Sequence, residues 1–153
     1  MVRLQEIESA RLAKACAEMK ERGFDYLKGI TAIDYGDRLE VLYLLYSTAS
    51  KELETLMVKL PTGLPPQLVS GIPVTSQTPQ EQQKPQAAQR LEVSTVTHVY
   101  PAADWFEREL SEMFGIAIAG RKAPRLLLEK WNGADAPLRK GFMWGKPYRK
   151  LGD

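Results

Sequence analysis

One cysteine and one histidine, Cys16 and His98, are all that the 153-residue sequence holds of the side chains that most often bind transition metals or drive nucleophilic catalysis. A single cysteine excludes an internal disulfide and any cysteine-built metal or iron–sulfur cage. His98 stands between Thr97 and Val99 without companions at ligand or triad spacing, so a structural histidine is the expectation. Long apolar runs are missing as well. The longest, residues 41–46, has a strand's length, far short of the about 18 residues that read as a membrane span. Residues 1–23 carry charge throughout, unlike a signal peptide. There is no P-loop, no dinucleotide-binding GxGxxG and no nucleophile elbow. These absences argue against catalysis within the chain and lead to the expectation of a cytoplasmic protein that binds no metal or cofactor itself.

What is present is ordinary in bulk and uneven in charge. An apolar share of 44% and a charged share of 26% are those of a globular protein, and the length suits one domain. The net charge of +2 hides an asymmetry: residues 1–118 hold 12 Lys/Arg and 16 Asp/Glu, net −4, whereas residues 119–153 hold 9 and 3, net +6. A basic tail on an acidic body predicts a partner surface for that tail.

Residues 100–118, YPAADWFERELSEMFGIAI, organise the rest. Asp104 with Glu107 three residues on forms a capping-box pattern, and Phe106, Leu110, Met113 and Phe114 make one apolar stripe at helical period. Gly115 is placed to end the helix in the left-handed region, with Ile116 folding back onto Leu110. Asp104 and Arg108 sit at i, i+4 with the acid first, the better orientation for a pair. Glu107, Glu109 and Glu112 add three carboxylates in about two turns, either a solvated face or a charged seam for a basic partner.

The run AADWFERELSEMFGI, together with the downstream PLRKGF, resembles the NuoC family, a peripheral-arm component of respiratory complex I. Related subunits serve coenzyme-F420 dehydrogenases and energy-converting membrane-bound NiFe hydrogenases. Glu107-Arg108-Glu109, Glu112-Met113 and Phe114-Gly115-Ile116 match that family's motif in order and spacing. Where the family usually has Gly-His-Pro, this chain has Gly120-Arg121-Lys122, so no role of that histidine carries over. The resemblance implies a non-catalytic subunit at the cytoplasmic face of the membrane, in a hetero-oligomeric, ion-translocating oxidoreductase. It would pack on the large quinone-site or NiFe-type subunit, beside subunits that hold the iron–sulfur clusters, with flavin or the NiFe centre also in partners. The implied docking residues are Trp105, Glu107, Arg108, Glu109, Glu112, Phe114, Gly115, Arg125, Pro137, Leu138, Arg139 and Lys140. Partner arginines would meet Glu107, Glu109 and Glu112, and partner carboxylates would meet Arg125, Arg139 and Lys140.

In chain order, residues 2–22 read as a helix with Leu12, Ala15, Cys16 and Met19 on one face, Cys16 behaving as a small buried hydrophobe. Residues 24–35 and 38–47 read as strands, the second apolar on both faces near its centre, as in a sheet covered on each side. Residues 51–60 fit helix or strand by period; the resemblance favours a third strand. Residues 61–90 hold six of the ten prolines, seven glutamines and no aromatic residue. Residues 77–89 have too little apolar surface to order themselves, and residues 64–74 are apolar enough to lie along a surface as extended chain. The resemblance implies that the stretch is an insertion. Residues 91–100 alternate as a fourth strand, and residues 119–153 read as extended basic tail. The expected architecture is α+β: an N-terminal helix, a mixed or antiparallel sheet of about four strands, one amphipathic helix and the tail. A second function class is nucleic-acid binding, because the tail interleaves Arg139, Lys140, Lys146, Arg149 and Lys150 with Phe142, Trp144 and Tyr148. The acidic body and low net charge argue against it, and no nucleic-acid partner is expected.

Overall fold

The structure, a computed structural model, describes residues 3–63, 91–127 and 136–142. Strand β1 (Arg3–Ile7) leads through one 3-10 turn (Ser9–Arg11) into helix α1 (Leu12–Glu21). Strands β2 (Tyr26–Asp34), β3 (Arg38–Tyr46) and β4 (Leu53–Pro61) follow. Then come β5 (Glu92–Ser94), helix α2 (Ala103–Phe114) and β6 (Ala117–Ala119). The α+β class and the mixed sheet are as expected. The main sheet runs β1-β4-β3-β2, with β1 parallel to β4 and the other pairs antiparallel; β5 and β6 form a separate parallel pair.

Alternation along the strands decides which face is buried. The register sets Leu39, Val41 and Tyr43 of β3 beside Leu60, Val58 and Leu56 of β4, and all six are buried. Ile30 and Ala32 of β2 extend that face. Onto it pack Leu12, Cys16 and Met19, at i, i+4 and i+7 of α1, and Ala103, Leu110 and Phe114 of α2. Val93, Val96, Ile116 and Ile118 close the same cluster. Both helices therefore serve one face of the sheet. The reverse face holds Leu42, Leu44 and Tyr46, half-buried, and Met57, buried outside that cluster.

Three local expectations change. Residues 2–22 are not one helix: β1 precedes a helix that starts at Leu12. Glu8 and Arg11 would have interrupted the apolar face, and the backbone of residues 3–7 finds its partners on β4 instead. Residues 91–100 supply only the three-residue β5, and β1 takes the fourth place in the sheet. Beyond Ser94 the chain turns: the Val99 and Tyr100 amides donate to the Val96 carbonyl at 3.0 and 2.8 Å, bonds that remove them from a ladder. Finally, α2 is capped by Ala102 without a side-chain bond, so Asp104 and Glu107 do not form the capping box. The other end is as expected: Gly115 adopts φ 68° and donates its amide to the Ser111 carbonyl at 3.0 Å, and Ile116 is fully buried.

The boundary expected at residues 118 and 119 falls inside β6. Of the insertion expected at residues 61–90, Pro61 ends β4 and residues 64–90 lie outside the described residues, as do 128–135 and 143–153 of the tail, including the cations and aromatics from Trp144 onward. Among the described residues, no helix is long and apolar enough to cross a membrane.

Candidate functional site

The helix that carries the family-like motif meets the body on its apolar side and the following chain on its polar side. Glu107 is the deepest group there, with no exposed surface. Its Oε1 accepts the Val96 amide at 2.7 Å, and its Oε2 accepts the Thr95 hydroxyl at 2.8 Å. Arg121 approaches Oε2 at 3.5 Å and also pairs with Asp104. A buried carboxylate needs such partners, since an unpaired one is strongly disfavoured. Burial raises the Glu107 pKa, and the Val96 amide, the Thr95 hydroxyl and Arg121 oppose that rise. Gly120 sets up the pairing: its φ of 88° turns the chain toward Arg121, and a Cβ there would lie 3.3 Å from Thr95 Cγ2. Burial, with Glu107 second, pushes the nearby Cys16 thiol up to about 12, which makes it inert.

The next residue of α2, Arg108, donates from Nε to the Pro124 carbonyl at 2.9 Å and from Nη2 to the Arg125 carbonyl at 2.8 Å. Its guanidinium lies 5.5 Å from the centre of the Trp105 ring and 3.8 Å from Asp104. One turn on, Glu112 accepts the amides of Leu126 at 3.1 Å and Leu127 at 2.8 Å. Residues 121–127 thus run alongside α2 in its own direction, from Asp104 to Glu112. Residues 136–142 dock at the helix end. The Leu138 amide donates to the Met113 carbonyl at 3.0 Å, and Arg139 reaches the Phe114 carbonyl at 3.4 Å. Arg139 also pairs with buried Asp34 at 3.2 Å, whose Oδ2 accepts the Lys140 amide at 2.9 Å.

The named docking residues therefore fall into groups. Glu107, Arg108, Glu112 and Arg139 bind other parts of the same chain, the first three fixing the segment that follows β6. Phe114 is buried in the core and Gly115 is the helix cap. Trp105 and Leu138 are 61% and 54% exposed, and Glu109, Arg125 and Lys140 are exposed too. Pro137 is half-buried beside Leu138. Sequence reasoning missed Asp34, Thr95 and Arg121. Asp34 carried one usable signal, its place before Tyr35-Gly36 in a hairpin, where an aspartate often accepts the amide two residues on; here the Gly36 amide donates to Oδ1 at 2.7 Å. Among the described residues, no group of three or more histidine, cysteine or carboxylate side chains is placed to hold a metal ion.

The sequence profile described as "Respiratory-chain NADH dehydrogenase, 30 Kd subunit" matches residues 5–148. The chain belongs to that family. The C subunit of NADH-quinone oxidoreductase from Sinorhizobium medicae is 31% identical over 123 residues, covering 78% of this chain and 48% of that protein. This family member spans about half the length of the curated relatives it matches. Two solved structures share the fold. The trypsin-resistant fragment (1–134) of Nqo5 superposes with a TM-score of 0.57 at 21% identity, covering 80% of this chain and 81% of the fragment. A chain of an archaeal respiratory membrane complex, the membrane-bound sulfane sulfur reductase, gives 0.65 at 20% identity, covering 93% of this chain and 73% of that one.

Proposed function

We propose that this member of the 30 Kd subunit family is a non-catalytic peripheral subunit of a membrane-associated, complex I-like oxidoreductase. The family match over residues 5–148 carries the reading. The geometry supports a scaffold role. The ionisable groups of the α2 site hold the chain's own amides, carbonyls and guanidinium groups; the thiol is buried and inert, and His98 sits exposed on a turn. On this reading the redox chemistry belongs to partner subunits that carry iron–sulfur clusters and a flavin or NiFe centre. The chain packs on the large quinone-site or NiFe-type subunit at the cytoplasmic face, and the assembly couples electron transfer to ion translocation.

An in-frame deletion tests this. Membranes of the deletion strain are expected to lose electron transfer from the complex's donor to its quinone or proton acceptor, and a plasmid copy restores it. Undiminished activity in every donor–acceptor pair of the class would overturn the reading.

A further inference from the structure

Past the side-chain pairs of Arg121 with Asp104 and Glu107, α2 also grips the main chain of the segment that follows. Arg108 holds two carbonyls, of Pro124 and Arg125, and Glu112 holds two amides, of Leu126 and Leu127. These four anchors, on residues 124–127, are main chain. A segment fixed by its backbone keeps its side chains for other contacts, and Leu127 is 60% exposed. Trp105, Arg108 and Glu112 stand at i, i+3 and i+7, within one side of the helix and about 10 Å of its length. Trp105 and Leu127 therefore flank the same row, and Leu138, tied to Met113 by its amide, continues it at the helix end. Lys122 and Lys140 are exposed beside it. Exposed large apolar side chains between cations suit an acidic protein surface that accepts apolar anchors, and the tail's net +6 against the body's −4 favours an acidic partner.

We propose that Arg108 and Glu112 are positioning residues which clamp the main chain of residues 124–127, holding Leu127 with Trp105 and Leu138 as a preformed strip that docks on an acidic, apolar-studded protein surface. The strip gains affinity because its backbone is ordered before the partner arrives. This rests on the subunit reading above, and it makes Arg108 and Glu112 supports of the interface without touching the partner.

The test has an arm that needs no partner. Amide hydrogen exchange on the isolated chain should show Leu126 and Leu127 protected, and Glu112→Ala should speed both by about tenfold or more while β3 amides keep their rates. Unprotected amides in the wild type overturn the clamp. The second arm recovers the tagged chain from its native membranes. Glu112→Ala and Leu127→Asp should each lower recovery of the assembled complex, the latter by about tenfold or more. Lowered recovery by Glu112→Ala with unchanged exchange at Leu126 and Leu127 would show that Glu112 touches the partner and sink the positioning role. Normal recovery with Leu127→Asp and with Trp105→Ala overturns the strip. Sedimentation of the isolated wild type with phosphatidylcholine–phosphatidylserine vesicles, abolished by Leu127→Asp, would assign the strip to lipid and overturn the protein partner. A wild-type chain recovered without any complex removes the subunit reading itself, a failure that the exchange arm distinguishes from failure of the clamp.

Discussion

Replacing Glu107 with alanine would leave the buried Val96 amide without its acceptor at 2.7 Å and the Thr95 hydroxyl without its partner at 2.8 Å. Stranding a buried donor costs about 1–3 kcal/mol. Arg121 keeps Asp104 and so is only partly stranded. Adding the space left by the side chain, the total loss is about 3–5 kcal/mol, the range for breaking a buried charged pair. For a chain of this size that lowers Tm by roughly 6–20 °C. Glu107→Gln keeps the volume and one acceptor, and the Thr95 hydroxyl can turn to accept from the amide, but Arg121 then meets no charge at that position; about 1–3 kcal/mol is expected. Thermal and urea unfolding of the isolated chain reads both, with exposed Glu109→Gln as a control inside about 0.5 kcal/mol. The sign with pH follows from the raised Glu107 pKa. A carboxyl whose folded pKa is raised contributes stability that is fully present below its unfolded value and lost as pH rises through the folded value. The wild-type advantage over Glu107→Gln should therefore grow as pH falls through that window and level off beneath the ordinary carboxylate range. An alanine variant melting within about 2 °C of wild type would refute the reasoning.

Three further outcomes follow from particular contacts. Arg139→Ala breaks the pair with buried Asp34 and should cost about 1–3 kcal/mol in a thermal melt of the isolated chain, whereas a tail residue without body contacts would leave the melt unchanged. Tyr43 is fully buried and its hydroxyl has no hydrogen-bond partner among the described residues, so Tyr43→Phe should be neutral or stabilise by about 1 kcal/mol in urea; a clear loss would mean that the hydroxyl is satisfied in solution. The Thr48 side-chain hydroxyl and then its amide hold the Asp25 carboxyl below its ordinary value, so this pair contributes stability at neutral pH that is lost as pH falls through the lowered value. Thr48→Ala should move the Asp25 titration, followed by carboxyl NMR shifts, back toward the ordinary range, and an unmoved titration would contradict the assignment.

The sequence disclosed most of what hydrophobic period governs. The β2–β3 hairpin, β4 and the body of α2 follow their apolar patterns, and Gly115 ends α2 as its lack of a Cβ allows. What it hid depends on contacts between distant residues. The five residues of β1 are mostly exposed and carry little apolar pattern; only pairing with β4, about fifty positions away, makes them a strand. Residues 91–100 alternate well, yet the Glu107 carboxylate captures the Val96 amide and ends the strand at Ser94. The same reach explains the site. Three glutamates on one helix read as a solvated or partner-facing side because sequence cannot show that residues 121–127 return along it. Glu107 and Glu112 serve that return, and Glu109 alone of the three is exposed.

The central claim is membership of a redox assembly, and isolation under native conditions tests it most directly. The tagged chain, extracted from its own cells in mild detergent, should migrate far above its 17.2 kDa with stoichiometric large and iron–sulfur subunits and with iron in the particle. Recovery at its own mass, free of iron and of any redox subunit, would contradict the account.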